Sequence, residues 1–324
     1  MKKSKALLQR FLPLLGAALL LAASFFPYRE QKTRLRIAPG VWPPAEALLV
    51  ASDLQILPPS RFQTIEMPWS SAVVRAFGSG AADVAVVTLD SLLRMREAGQ
   101  KLKVLMVLSR STGGDAVLAR PGIQRLEDLK GKRVAVERSA GSYLLASALE
   151  SAGMRMEDVE SVPMFQSEME TAMQGGQVDA AVATEPWLTI LSRQGAAHSV
   201  YDSSQLKVPI LYLLVASEQA CASSRQDLVS LLKVQEEMAG KIWAGRPFPG
   251  MDAVLRRENL KETELPACLV RLHHLDKAEN ERVLKELPEL ALQMEDLMIR
   301  GGMLKTKRTD SGWIDESFAK EVPR

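Results

Sequence analysis

The sequence predicts an α/β protein with two similar lobes, because one segment of it occurs twice. A pattern of Gly, Asp, Ala, Val, Thr and Leu at fixed spacing starts at Gly80 and recurs 96 residues later at Gly176. Each copy follows a strand-like segment and a short helical pattern that opens near Ser71 or Ser167. Strands alternating with short helices are typical of βαβ units and parallel sheets. Two units of like topology predict two lobes with a ligand-binding cleft between them.

The order of the elements supports this organisation. Strands are predicted over residues 35–38, 62–67, 83–87, 102–108, 133–137 and 210–215, with helices over 45–51, 70–77, 89–98 and 143–151. From residue 218 onward only amphipathic helices are predicted, and we expect them to pack on the first lobe. The chain then crosses between lobes near 112–117 and 207–213, which predicts a two-strand hinge. Residues 35–114 and 214–324 form lobe 1, and residues 115–213 form lobe 2.

The first 26 residues have the pattern of a secretory signal peptide. A basic head precedes an apolar run over residues 11–26, shorter than the roughly 20 residues of a membrane span. A retained N-terminal anchor is the alternative, because Phe25 and Phe26 before Pro27 make a poor cleavage junction. Ser24 stands where a lipoprotein signal has cysteine. Residues 27–34 read as a linker, and the protein is expected in the periplasm or outside the cell.

Composition and charge exclude several classes of function. The chain has 324 residues, is 47% hydrophobic and carries a formal net charge of +2. Four basic residues lie in the first ten positions, so without the signal the net charge is −2, which argues against nucleic-acid binding. Cys221 and Cys268 could form a disulfide or be two buried thiols. No metal-ligand spacing, nucleophile motif or phosphate loop occurs. The sequence therefore predicts neither an enzyme nor a cofactor or metal.

Candidate ligand contacts follow the predicted strands, since ligands bind beyond the carboxyl ends of parallel strands. Ser139, Gly141 and Ser142 open a helix, whose N–H groups favour anions, although an ordinary N-cap would look the same. The remaining candidates lie at or just after strands and could instead be caps, core residues or solvated acids: Trp42, Ser70, Ser71, Thr88, Asp115, Thr184, Glu185 and Trp187.

Several of these positions have structural alternatives of their own. Asp83 and Asp179 are interpreted as turn residues on the far side from the cleft. A carboxylate at Glu185 would hold an amine or a guanidinium, or fix a hydroxyl donor. With Asp90, Asp115 and Glu185 all facing the cleft, a purely anionic ligand would be disfavoured. The three histidines lie beside no nucleophile, and the pair at residues 273–274 is predicted to be a surface feature of a helical region.

Several motifs in order resemble those of a known family: the strand at residues 35–38 leading to Trp42-Pro43-Pro44, the segments at 80–85, 126–136 and 176–180, and Glu185-Pro186-Trp187. The chain resembles the substrate-binding proteins of the nitrate, sulfonate, taurine and thiamine-precursor class of ABC importers. The resemblance covers roughly residues 35–215. It implies a type II periplasmic binding protein fold, a small-molecule ligand, permease and ATPase partners, and a monomer.

We therefore predict a solute-binding protein that delivers a small polar or anionic molecule, such as a sulfonate, nitrate, taurine or a pyrimidine-like compound, by hinged closure. Two departures from the family pattern stand out: Pro44 replaces a glycine common in the family, and the lipoprotein cysteine is absent. Two other functions stay open. One is the ligand-sensing module of a membrane sensor, and the other is an enzyme related to pyrimidine synthases, which would need a reactive histidine and a cysteine-rich motif.

Overall fold

The structure is a computed structural model that describes residues 34–193, 195, 197–308 and 310–322. The predicted signal peptide over residues 1–26, and most of the predicted linker, lie outside the described residues. Among the residues that are described, no helix combines the length and apolar character needed to cross a membrane.

Within the described residues the chain forms eleven strands: β1 (Leu35–Ala38), β2 (Phe62–Thr64), β3 (Val84–Thr88), β4 (Leu102–Ser111), β5 (Asp115–Ala119), β6 (Arg133–Val136), β7 (Glu160–Pro163), β8 (Ala180–Thr184), β9 (His198–Asp202), β10 (Leu211–Ser217) and β11 (Leu272–His274). The α-helices in the same part of the chain are α1 (Glu46–Asp53), α2 (Ser70–Gly78), α3 (Leu89–Glu97), α4 (Ala140–Ser151), α5 (Gln166–Gln174), α6 (Trp187–Ser192), α7 (Glu218–Ser223), α8 (Arg225–Trp243), α9 (Met251–Arg257), α10 (Leu265–Arg271), α11 (Lys277–Arg300) and α12 (Glu316–Lys320).

The strands form two sheets of matching construction. The first has the order β11-β4-β10-β3-β1-β2, and the second has the order β7-β6-β8-β5-β9. In each sheet three strands run parallel: β2, β1 and β3 in the first, and β7, β6 and β8 in the second. The predicted fold class, two similar α/β lobes joined by two crossings, is confirmed.

Beside the predicted parallel strands, each sheet also contains an antiparallel strand that enters from the other lobe. β10 runs antiparallel to both β3 and β4, and β5 runs antiparallel to both β8 and β9. The chain leaves each sheet at the carboxyl ends of its parallel strands and enters the other sheet at the carboxyl ends of that sheet's parallel strands. The entering strand therefore runs antiparallel to them. The first residues of the crossing strands therefore lie level with the last residues of the echoed strands: Tyr212 pairs with Thr88, and Asp115 with Thr184.

The sequence repeat has a direct structural cause. Asp83 accepts a hydrogen bond from the Arg36 backbone N–H at 2.9 Å, and Asp179 accepts one from the Arg133 backbone N–H at 3.0 Å. Each aspartate thereby ties its own strand to the start of the neighbouring parallel strand. The structural role predicted for both aspartates is confirmed. The turn before each strand holds a glycine with positive φ, Gly80 or Gly176, where a side chain would strain the backbone.

The C-terminal third packs mainly on the first sheet, as expected. α8 packs against α1, and α11 packs against α3 and β4, although α11 also contacts α4 of the second lobe. The expectation of helices alone after residue 218 was wrong, since β11 adds an antiparallel edge strand to β4.

Two smaller expectations are also settled in this region. His273 and His274 lie on β11 rather than on a helix, so the helical interpretation was wrong, whereas the His273 side chain is 42% exposed and lies at the surface. His274 Nδ1 donates to the Leu108 carbonyl at 3.0 Å. Cys221 and Cys268 are both free thiols. Burial raises the pKa of Cys221 to about 11 and raises that of Cys268 further, which makes both poor nucleophiles.

Candidate ligand-binding site

A cavity of about 360 Å³ lies between the carboxyl ends of the two parallel strand sets. The last three residues of β3 and the last three residues of β8 line it, so both copies of the sequence repeat contribute the same positions. The predicted candidates that line it are Trp42, Ser70, Thr88, Asp115, Ser139, Gly141, Thr184, Glu185 and Trp187. Their role as ligand contacts stays a prediction.

Ser71 and Ser142 are not among the residues that line the cavity. In α2 the cavity is lined by Ser70 and Val74, which lie one turn apart on the same face of the helix, and Ser71 lies off that face. Ser142 lies in the first turn of α4, and its hydroxyl donates to the Glu137 backbone carbonyl at 3.3 Å. Ser142 therefore fits the alternative of a residue that stabilises the helix start.

Aromatic side chains form much of the wall. The Trp42 ring lies against Gly40, where a Cβ atom would come within 2.1 Å of the ring. Trp69 from the first lobe stacks on Phe165 from the second, with ring centroids 4.6 Å apart and planes inclined by 28°. Sequence reasoning missed this pair, although Trp69 and Phe165 occupy matched positions of the 96-residue repeat.

A second contact between the lobes lies beside the aromatic pair. The Ser70 hydroxyl donates to Glu137 Oε1 at 3.3 Å. Burial raises the pKa of Glu137, and hydrogen bonds from Ser70 and Gln166 partly offset that rise. Residues of both lobes thus close the cavity at this side.

Hydroxyl groups line the floor. The Thr184 hydroxyl and the Tyr212 phenol lie 3.2 Å apart, and the Thr88 hydroxyl donates to Ser91 Oγ at 3.0 Å. Burial raises the pKa of Tyr212 well above its ordinary value, so the phenol stays neutral and keeps a proton to donate.

Asp115 is the acid most enclosed by this floor. Its side chain is 1% exposed, and its Oδ2 atom has no hydrogen-bond partner among the described residues. Burial raises the pKa of Asp115 to about 6, while the hydroxyls of Ser111 and Thr184 limit the rise and the charges of Asp90 and Glu185 add to it. A carboxylate in such surroundings favours a partner that donates a hydrogen bond or carries positive charge.

Glu185 lines the cavity but is already paired within the protein. It accepts from the Thr189 hydroxyl at 3.0 Å and from Arg271 Nη1 at 2.7 Å. The sequence alternatives of a held guanidinium and a fixed hydroxyl donor are both realised by the protein's own residues. Arg271 is the last residue of α10, and nothing in the periodic pattern of the C-terminal helices singled it out.

Arg257 is a further lining residue that sequence reasoning missed. It closes α9 and forms ion pairs with Glu46 and Asp53, each at 2.7 Å. Burial alone would lower the pKa of Arg257, but the hydrogen bonds and charges of Glu46 and Asp53 more than offset this and raise it. Its positive charge is therefore balanced before any ligand binds.

Across the described part of the chain, no group of three or more His, Cys, Asp or Glu side chains is placed to hold a metal ion. Asp90, which sequence analysis grouped with the cleft acids, pairs with Arg94 one turn along α3 and is not among the lining residues.

Comparison with known proteins decides the family. A family model described as NMT1/THI5 like matches residues 63–240, which is more than half of the chain. The chain belongs to the NMT1/THI5-like family. A putative aliphatic sulfonates-binding protein of Escherichia coli is 24% identical over 213 residues, covering 64% of this chain and 67% of that protein. The taurine-binding periplasmic protein of Escherichia coli is 31% identical over 139 residues, covering 42% of each.

Other relatives are matched over a shorter part of the chain. A putative binding protein of Brucella abortus is 36% identical over 110 residues, so the matched part spans about a third of each chain. The crystal structure of the periplasmic aliphatic sulphonate binding protein SsuA from Escherichia coli superposes with a TM-score of 0.71 at 20% identity, covering 85% of this chain and 94% of that one. At that identity the likeness extends to the fold, which this family member shares.

Proposed function

We propose that this member of the NMT1/THI5-like family is an extracytoplasmic solute-binding protein. It captures a small molecule between its lobes and delivers it to the permease and ATPase subunits of an ABC importer. Residues 35–114 with 214–324 act as one lobe, and residues 115–213 act as the other. The protein is exported, works as a monomer and carries out no reaction on the solute. The printed names of the relatives, as sulfonate- and taurine-binding proteins, support this role.

The observation that carries the proposal is a cavity whose matched walls come from both lobes. Trp69 stacks on Phe165, and Ser70 donates to Glu137, so the cavity is closed by pairs that span the two lobes. A ligand stabilises such a closed state only through contacts that it makes there and not in the open state. In this proposal the arrangement with these two contacts is the closed state, which a bound solute favours.

Helix starts give the cavity its polar character on the second lobe. Ser139 precedes α4 and its own N–H donates to the Glu137 carbonyl at 2.8 Å, whereas Gly141 lies in the first turn of α4, where backbone N–H groups lack helical partners. Gly141 also lies close to β8, since a Cβ atom there would be 3.5 Å from the Val182 side chain. These groups suit a polar ligand such as a sulfonate, nitrate, taurine or a pyrimidine-like compound.

A thermal-shift screen of residues 28–324 with sulfonates, nitrate, taurine and pyrimidines tests the proposal. A bound solute should raise the unfolding midpoint, because it binds only the folded state. Thr184→Val should weaken the binding of that solute. The control Thr171→Val, at an exposed position of α5 away from the cavity, should leave the binding unchanged. If no solute of these classes raises the midpoint, the proposed ligand classes are wrong.

A further inference from the structure

The charges that line the cavity are predominantly negative. Four carboxylates line it, Glu66, Asp115, Glu137 and Glu185, whereas the one cationic side chain among the described lining residues is Arg257. Arg257 is neutralised by its two acidic partners, and Glu185 is neutralised by a basic partner from the C-terminal segment. The described residues supply no ion-pair partner for either Asp115 or Glu137. A simple anion would add a further negative charge to these surroundings.

Asp115 supplies an independent sign of a missing partner. Its side chain lines the cavity, is 1% exposed, and leaves Oδ2 without a hydrogen bond from any described residue. Burying a carboxylate oxygen without a donor is unfavourable, and such atoms are rare unless a ligand or water meets them. The backbone N–H of Asp115 donates to Ser203 Oγ at 3.3 Å, so the backbone of this residue is held at the start of β5.

The other walls suit an organic cation. The rings of Trp42, Trp69, Phe165 and Trp187 line the same cavity, and the faces of aromatic rings attract positive charge. The indole N–H groups of Trp42 and Trp69 are buried and have no partner among the described residues. An acceptor elsewhere on the ligand is therefore compatible with the site, as in a zwitterion.

We propose that Asp115 anchors a protonated nitrogen of the ligand, so that the solute is an ammonium or amidinium compound, or a zwitterion, and not a simple anion. This inference rests on the proposed solute-binding function and specifies its substrate class. Asp115 then acts as a specificity-determining residue, because an analogue without the cation leaves its carboxylate unpaired.

Two matched pairs of probes test this: taurine with 2-hydroxyethanesulfonate, and benzylamine with benzyl alcohol. Within each pair a hydroxyl replaces the ammonium group. At least one amine should bind to residues 28–324 in calorimetry, about tenfold or more tighter than its hydroxyl twin, because hydrogen bonds to charged groups are the strong ones. Asp115→Asn should remove that preference, while the control Glu262→Gln, which removes a carboxylate at an exposed position that does not line the cavity, should keep it.

A second measurement needs no variant. At pH 6 the amine should release protons on binding, seen as a dependence of the binding heat on the ionisation heat of the buffer, and its hydroxyl twin should not. The charged groups that face Asp115 are Asp90 on α3 and Glu185 after β8, and the phenol of Tyr212 on β10 is neutral.

The outcomes separate the two proposals. A hydroxyl twin that binds as tightly as its amine, an Asp115→Asn protein that keeps the preference, or a panel in which no amine binds would overturn the cation anchor. If 2-hydroxyethanesulfonate binds as tightly as taurine and changes the scattering profile as lobe closure would, the solute-binding function is supported. The same result contradicts the proposal that Asp115 anchors a cation. If no solute changes the profile, the solute-binding function itself is contradicted.

Discussion

Replacing Asp115 by asparagine should stabilise the unliganded protein at neutral pH. The pKa of this buried carboxyl is raised from 3.8 to about 6, so the folded protein holds a proton that the unfolded chain has already lost. The stability contributed by that proton is fully present below pH 4 and disappears as the pH rises through about 6. The difference in pKa corresponds to about 3 kcal/mol of unfolding free energy at pH values well above 6.

Asparagine is nearly isosteric with aspartate and cannot ionise, so Asp115→Asn removes this penalty. We expect the variant to gain about 1–3 kcal/mol of unfolding free energy at pH 7.5, less than the full amount because a buried amide also needs partners. At pH 4 the two proteins should be nearly equally stable. Urea denaturation of residues 28–324, followed by tryptophan fluorescence at both pH values, measures the two differences.

The control for this comparison is Glu66→Gln, since Glu66 lies at an exposed position and surface substitutions usually change stability by less than about 0.5 kcal/mol. The reasoning is refuted if Asp115→Asn destabilises the protein at pH 7.5, or if its effect is the same at pH 4 as at pH 7.5. Either result would mean that Asp115 is already ionised and well paired in the folded state.

Three further predictions concern the walls of the site. Trp69→Ala and Phe165→Ala should each weaken solute binding, and a double-mutant cycle in calorimetry should give a coupling of about 1 kcal/mol, whereas additive losses would show that their stacking does not hold the lobes closed. Glu185→Gln should lower the unfolding free energy by about 1–3 kcal/mol, because it leaves Arg271 without its carboxylate partner. An unchanged urea midpoint would contradict the pairing of Glu185 with Arg271. Gly40→Ala should displace the Trp42 ring from the cavity wall and reduce the affinity for the solute. The control Gly240→Ala, inside α8 with open space around it, should leave the affinity unchanged and raise the unfolding free energy by about 0.5–1 kcal/mol. Similar effects of both substitutions on affinity and stability would argue against the contact between Gly40 and Trp42.

The repeat and the strand-helix alternation were sufficient to predict both lobes. These two patterns did not predict strands that form only because they pair with a strand distant in the sequence. β11 has three residues, Leu272–His274, and it forms because the edge of β4 is free to pair with it. β5 begins with the acid Asp115, which no strand pattern favours, and it is fixed by its neighbours β8 and β9.

The residues of the site likewise fall into those that the sequence could predict and those that it could not. Residues at the carboxyl ends of strands, such as Thr88 and Thr184, could be found because parallel strands bring these ends together. Arg257 and Arg271 could not be predicted as residues near the site. They lie at the ends of C-terminal helices, and the periodic pattern of such helices shows which face is buried but not which distant residues it contacts. Trp69 and Phe165 were within reach of sequence reasoning, because the repeat places an aromatic residue immediately before the α2 and α5 helices.

Small-angle X-ray scattering of residues 28–324, with and without the solute that most raises the unfolding midpoint, tests the central claim most directly. We predict a larger radius of gyration for the free protein, and a solute-bound profile that matches the one calculated from the closed arrangement described above. Identical profiles in both samples, under conditions where calorimetry shows saturation, would contradict capture by lobe closure.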